Sequence, residues 1–125
     1  MNGPVRRIGG EERTEATVTP GMRREEAVAT DRMWGGLART EPGSASGWHH
    51  HGGYETTFYV LSGAVRVEFG PGGGESMDLG PGDFGYIARD TVHLESNPSD
   101  QEAVVVVVRA GSGPAVINVE GPDPA

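Results

Sequence analysis

The chain has 125 residues, a formal net charge of −8 and no cysteine. That length supports one folded module with a core of its own, and the missing thiols exclude disulfides, thiolate zinc sites and cysteine nucleophiles. The charge is uneven: residues 1–40 carry seven Arg against six acids, and residues 41–125 three Arg against twelve. An acidic body without a basic, aromatic-studded patch argues against nucleic-acid binding. No run approaches the ~20 apolar residues of a membrane helix, and residues 1–7 lack the apolar segment of a signal peptide. No membrane association and a cytoplasmic location are therefore expected. All ten basic residues are Arg, which with abundant Gly, Ala and Val suggests a GC-rich bacterial genome.

Twenty-one glycines and nine prolines punctuate short valine-rich or alternating runs, the pattern of an all-β fold with many tight turns. Strands are predicted over 14–18, 34–40, 47–51, 56–61, 64–69, 76–79, 84–87, 92–97, 102–109 and 116–119, a spacing that favours a sandwich or barrel. Residues 21–29 predict a short helix of barely two turns. Within 64–69, Val65, Val67 and Phe69 share one face while Arg66 and Glu68 take the other, so that strand has a wet side. Residues 71–74 read as a hairpin loop; a phosphate cradle needs a following helix, and none is signalled. The unbroken run Val104 to Val108 reads as a strand covered on both faces, either in the core or at a subunit interface. The tail from Gly121 is expected to order only where a neighbour pins it.

The chemistry concentrates at His49-His50-His51 and at His93. On a strand, His49 and His51 point one way and His50 the other. Neutral imidazole is the commonest protein ligand of transition metals, and a carboxylate four residues on, Glu55, offers an anionic oxygen. A third imidazole, His93, would close the set. Glu55 could serve as ligand or as general base to a metal-bound water.

Gly43, five residues, His49, one residue, His51, three residues, Glu55 and then Gly63 resemble the first motif of the cupin superfamily. Gly80-Pro81-Gly82-Asp83-Phe84-Gly85-Tyr86-Ile87, leading to His93 and Asn97, resembles the second. The resemblance implies an antiparallel double-stranded β-helix, the jelly-roll or cupin barrel. The barrel would occupy 34–119 of a single domain, with 1–33 an N-terminal extension packing on it or on a partner, and 120–125 a tail. It further implies one divalent metal ion per chain, Fe or Mn before Zn, Ni or Co, held by His49, His51, Glu55 and His93, and a homodimer. Seven residues separate Glu55 from Gly63 where the family pattern has six. Counting back from Gly63 therefore puts Thr56 in the carboxylate slot, whereas a one-residue bulge between Glu55 and Tyr59 would return Glu55 to it. Ala88 and Asp90-Thr91 replace the proline and glycine turn usual after the second motif's strand.

If Thr56 faces the metal, alternation brings Phe58 and Val60 to the same side; with Tyr86 they form the expected apolar pocket. Asp83 is expected to bond local backbone amides, and Asn97 to be structural. The leading functional expectation is a metal-dependent enzyme of dioxygenase type acting on a small organic molecule, with redox-neutral isomerase, lyase or cyclase chemistry open beside it. The alternative from another class is a non-enzymatic cupin that binds a small-molecule ligand. Function resides in the site and not in the barrel.

Overall fold

A computed structural model describes residues 3–114 and 116–123 of the chain. Its strands are β1 (Thr14–Thr19), β2 (Met22–Ala29), β3 (Met33–Thr40), β4 (His49–His50), β5 (Glu55–Ser62), β6 (Val65–Phe69), β7 (Glu75–Leu79), β8 (Phe84–Ile87), β9 (Leu94–Ser96), β10 (Ala103–Ala110) and β11 (Ile117–Asn118). Two short 3-10 turns, Gly10–Glu12 and Pro71–Gly73, are the only helical segments among the described residues. No helix there is long and apolar enough to cross a membrane.

All pairings are antiparallel. One sheet runs β1-β2-β3-β10-β5-β8 and the other β7-β6-β9. The second sheet continues through residues 43–46, which bond alongside β9, and through β4, whose His49 bridges His93 and which pairs in turn with β11. The two sheets close over one core in which Val60, Val67 and Ala103 are fully buried, with Trp34, Phe58, Leu79, Ile87, Val105 and Val107 around them. This is the all-β double-stranded β-helix that the motifs imply.

Alternation explains which residues reach the core. On β10, Ala103, Val105, Val107 and Arg109 point inward. The other face of the valine run is less covered than its composition suggests, for Val108 is 37% exposed. On β6, Val65 and Val67 are buried while Arg66 faces out to a 2.7 Å ion pair with Asp78. Two glycines are required by close approach. Gly63 sits at φ 74°, where a Cβ would lie 2.6 Å from the Ala103 backbone, and Gly85 has no side chain because the Phe58 ring occupies that space.

The helix expected over 21–29 is a strand instead, β2. It is hydrogen-bonded along both edges, to β1 and β3, and two such ladders outweigh a two-turn helix that is marginal by itself. Residues 14–29 thus extend the large sheet. Gly72 N–H donates to the Asp123 carbonyl at 2.8 Å, so the hairpin loop pins the tail.

Candidate metal centre

Two backbone hydrogen bonds build the site. His49 N–H donates to the His93 carbonyl at 3.0 Å, and His93 N–H returns a bond to the His49 carbonyl at 2.8 Å. This mutual pair brings the two histidine motifs side by side. Ser46 then fixes the next residues of the second motif: its N–H reaches the Glu95 carbonyl at 2.7 Å, and its hydroxyl accepts the Glu95 N–H at 2.9 Å. His51 is followed by Gly52 at φ 56° and a turn closed by Tyr54 N–H on the His51 carbonyl at 3.1 Å.

Within this frame the rings of His49, His51 and His93 lie 4.4 to 5.1 Å apart, centroid to centroid. All three are buried. One donor atom from each, together with a Glu95 carboxylate oxygen, falls in a group spanning no more than 4.8 Å. His50 points away, and its Nδ1 accepts the Gly52 N–H at 3.0 Å.

Hydrogen bonding decides which ring nitrogens face the centre. His49 Nδ1 is 2.8 Å from the Gly47 carbonyl and His93 Nδ1 is 2.8 Å from the Thr91 carbonyl. A carbonyl only accepts, so both Nδ1 atoms carry the proton and both Nε2 atoms present lone pairs. Those lone pairs meet an acceptor: Glu95 Oε1 stands 2.9 Å from His93 Nε2 and 3.7 Å from His49 Nε2. Lone pairs facing a carboxylate repel unless a cation lies among them. A proton can take that place at His93. Burial alone would lower the His93 pKa, but the Glu95 carboxylate outweighs it and holds the ring above its ordinary value. Burial would likewise raise the Glu95 pKa, yet the His49 and His93 rings hold this carboxyl well below its usual range. His49 Nε2 is left buried with no hydrogen-bond partner. Three imidazoles with a carboxylate, no thiolate and an orphaned inward lone pair fit a divalent transition-metal ion.

The expected site residues separate on this geometry. His49, His51 and His93 are brought together. Glu55 is not: it is exposed on the outer face of β5 and accepts the Tyr86 hydroxyl at 3.2 Å. The bulge that would have turned it inward lies elsewhere. The β5–β10 register is regular from Glu55 to Val60 and shifts only between Val60 and Ser62, leaving Leu61 unmatched. Thr56, buried, occupies the inward position, and its hydroxyl has no partner. The carboxylate comes from the second motif. Glu95 stands two residues after His93, the same one-residue gap that puts His49 and His51 on one face, and this alternation is the sequence signal for it.

The pocket residues divide as well. Phe58 lines an interior cavity that reaches His51 and Glu95. Val60 is buried in the core between the sheets, and Tyr86, 61% exposed, lines a separate, more open hollow with Ile87 and His93. Asp83 accepts the Gly80 N–H at 2.9 Å. Asn97 ties its turn together: its amide donates to the Thr40 and Gln101 carbonyls, and its oxygen accepts from Ser99.

The family model of the Cupin domain matches residues 36–109, well over half of the chain. The chain belongs to the cupin family. Solved cupin-fold structures resemble it at low identity. KdgF from Halomonas sp. is 24% identical with a TM-score of 0.67, over 82% of this chain and 90% of that one. The polyketide cyclase RemF from Streptomyces resistomycificus is 22% identical with a TM-score of 0.75, over 92% and 85%. Oxalate decarboxylase from Bacillus subtilis, a protein with Mn(II) centers, is 21% identical with a TM-score of 0.72, over 85% of this cupin and 30% of the larger chain. At such identities the likeness establishes the shared barrel. No curated protein matches the sequence.

Proposed function

We propose that this cupin is a metal-dependent enzyme acting on a small organic molecule. The observation that carries the reading is the convergence of His49, His51, His93 and Glu95, of which His51 and Glu95 border an interior cavity lined also by Phe58, Ile87, Val105 and Val107. His49, His51 and His93, with Glu95, would hold one divalent ion, Fe or Mn in preference to Zn, Ni or Co. Such an ion supplies Lewis-acid polarisation of a bound oxygen and, if it is iron, access to dioxygen chemistry. The chain's own contribution is positioning. The Gly47 and Thr91 carbonyls fix the two imidazole tautomers, Glu95 places a negative charge against the donor set, and Phe58, Val105 and Val107 keep bulk water from the cavity. The four candidate ligands lie on β4, on β9 and in the segments beside them, with the apolar wall on the opposite sheet.

Dioxygenation is the reaction class we favour, because a His/carboxylate set with open positions suits Fe(II). Redox-neutral isomerisation, elimination or cyclisation follows if the ion is redox-inert, a possibility in line with the polyketide cyclase among the structural neighbours. Elemental analysis of protein purified without added metal or chelator, beside His51→Ala, is the deciding experiment. About one equivalent of metal, lost in the variant, is expected; an unmetallated wild-type protein that also refuses added Fe(II) and Mn(II) refutes the reading. A homodimer is proposed as well, through the outer face of β5 and β8, where Leu61, Phe84 and Tyr86 are 50, 72 and 61% exposed. Light scattering at the monomer mass of 13.1 kDa would rule it out.

A further inference from the structure

The barrel interior holds a second constellation that the metal ligands leave unused. Arg24 on β2 and Arg109 on β10 are only 2% and 3% exposed, and both line the cavity that His51 and Glu95 border. Residues 41–125 contain just three Arg, and one of them has been put inside. A buried guanidinium is costly unless an anion or a set of acceptors answers it.

Among the described residues Arg109 has no hydrogen-bonded or ion-paired answer, and Glu95 reaches it only as a more distant charge. The Arg109 Nε is buried without a hydrogen-bond partner, and among the described residues it makes no ion pair. Its guanidinium stacks on the face of the Trp34 indole, 4.6 Å from the guanidinium carbon to the ring centroid. Directly across the sheet from Arg109 is Thr56, whose hydroxyl is also buried and unpartnered. The orphaned buried side-chain atoms among the described residues are Arg109 Nε, Thr56 Oγ1 and His49 Nε2. All three thus belong to this cavity or to the histidine cluster that meets it at His51: a cationic donor, a hydroxyl and an imidazole lone pair.

Burial lowers the Arg109 pKa to about 10, and Arg24 nearby adds to the effect, so the side chain stays charged at neutral pH. Glu95 is the one acid lining the cavity, and it is already committed to His93 at 2.9 Å. The missing counter-charge has to come with the ligand. Space sets its size. The room left for the centres of water-sized molecules is about 30 Å³, where a single water needs roughly 10–15 Å³, so about two or three waters fit, or one small molecule of their combined bulk. The rest of the lining is mostly apolar, with Phe58, Ile87, Val105 and Val107 in it and Thr40 and Ser96 as its other polar side chains.

We propose that the cavity is a binding site for a short-chain carboxylate, whose charged end is held by Arg109, with Arg24 and the Thr56 hydroxyl beside it, and whose other end faces His51 and Glu95. Arginine suits this role because its planar fork meets a carboxylate through two parallel hydrogen bonds. The proposal deepens the metal-enzyme reading and rests on it for what lies at the far end of the ligand. Arg109 is placed here as a specificity residue, since it does not belong to the metal-ligand group.

The test is calorimetric titration of Mn(II)-loaded protein with pyruvate and with 2-oxopropanamide, which match in non-hydrogen atoms and differ in charge. Pyruvate should bind at least tenfold more tightly. In Arg109→Met the preference should vanish with metal content unchanged, and Arg109→Lys should recover part of it. Thermal unfolding of the metal-free variants separates this role from a merely structural one. A guanidinium kept for a ligand is a liability to the empty fold, so Arg109→Met should melt no lower than wild type; a marked drop, with pyruvate discrimination retained in Arg109→Lys at the full wild-type level, assigns Arg109 to packing on Trp34 and overturns the proposal. Equal affinity for acid and amide in the wild type, or binding of neither, overturns it too. A protein that takes up no metal ends the metal reading separately, and the same acid–amide comparison on the metal-free protein still decides the carboxylate site.

Discussion

Replacing Glu95 by Gln changes one charge and almost no volume at the centre of the site. Glu95 Oε1 is 2.9 Å from His93 Nε2 and 3.7 Å from His49 Nε2, so the substitution removes the single anion in a set of otherwise neutral donors. Groups that merely orient a metal ligand contribute about 10–100-fold in affinity. A carboxylate in the donor set itself should exceed that, so a loss of at least about 100-fold is expected, or ~2.7 kcal/mol at ~1.36 kcal/mol per decade. Glu55→Gln is the internal control. That carboxylate is exposed and touches only the Tyr86 hydroxyl, so its loss should leave metal affinity within about twofold, as for surface changes remote from a site. Competition titration against a chromogenic chelator measures both variants. A second readout needs no metal. Burial lowers the His93 pKa and Glu95 raises it; with Glu95 neutralised, the NMR titration of His93 should move to lower pH. Wild-type affinity in Glu95→Gln, or an equal fall in Glu55→Gln, would refute the assignment of Glu95.

Three further outcomes are expected. Because Thr56 fills the inward position on β5, the double variant Thr56→Glu with Glu95→Gln should regain at least about tenfold of the lost affinity; no recovery in the same chelator assay would show that the two positions do not serve one centre. Metal uptake should release protons in a pH-dependent way. The raised His93 pKa means that the metal-free protein holds a proton there, so protonation favours this form below the ordinary value and the benefit is lost as pH rises through the folded value. Calorimetry in buffers of different ionisation enthalpy should therefore detect about one proton released at pH ~6 and fewer as the pH climbs, with metal affinity falling towards acid. On the outer face, burial would raise the Glu25 pKa, but Arg13 and Arg39, each at 3.0 Å, outweigh it and lower it. Glu25 thus stabilises the fold above its unfolded pKa, and the contribution disappears as pH falls through the depressed folded one. Denaturant unfolding of Glu25→Gln should show a deficit of no more than about 1 kcal/mol per pair at pH 7, vanishing in strong acid; a deficit that persists there counts against the ion pairs as its source.

Much of the architecture was legible because period-two burial leaves direct marks: Val65 and Val67 inside, Arg66 outside, and His49 and His51 on one face. The same rule, carried past His93, reaches Glu95. The spacing of the first motif points to Glu55 instead, and local counting cannot say where a bulge falls. Only the partner strand settles that, and the irregularity lies at Leu61, past the point where it could turn Glu55 inward. Arg24 was hidden for a related reason. The run Met22-Arg23-Arg24-Glu25-Glu26 has the composition of a solvated helix, and its inward face becomes visible once β1 and β3 flank it.

The reciprocal backbone bonds between His49 and His93 also bear on how the protein folds and lasts. The donors fall into two local pairs, His49 with His51 and His93 with Glu95, and joining the two pairs is beyond local chain closure; β5 to β8 must already be in place to bring β9 back beside β4. A contact of such long sequence separation is made late, and an interaction absent from the folding transition state slows unfolding without speeding folding. Metal loading should therefore act on the lifetime of the finished barrel while leaving its rate of formation unchanged.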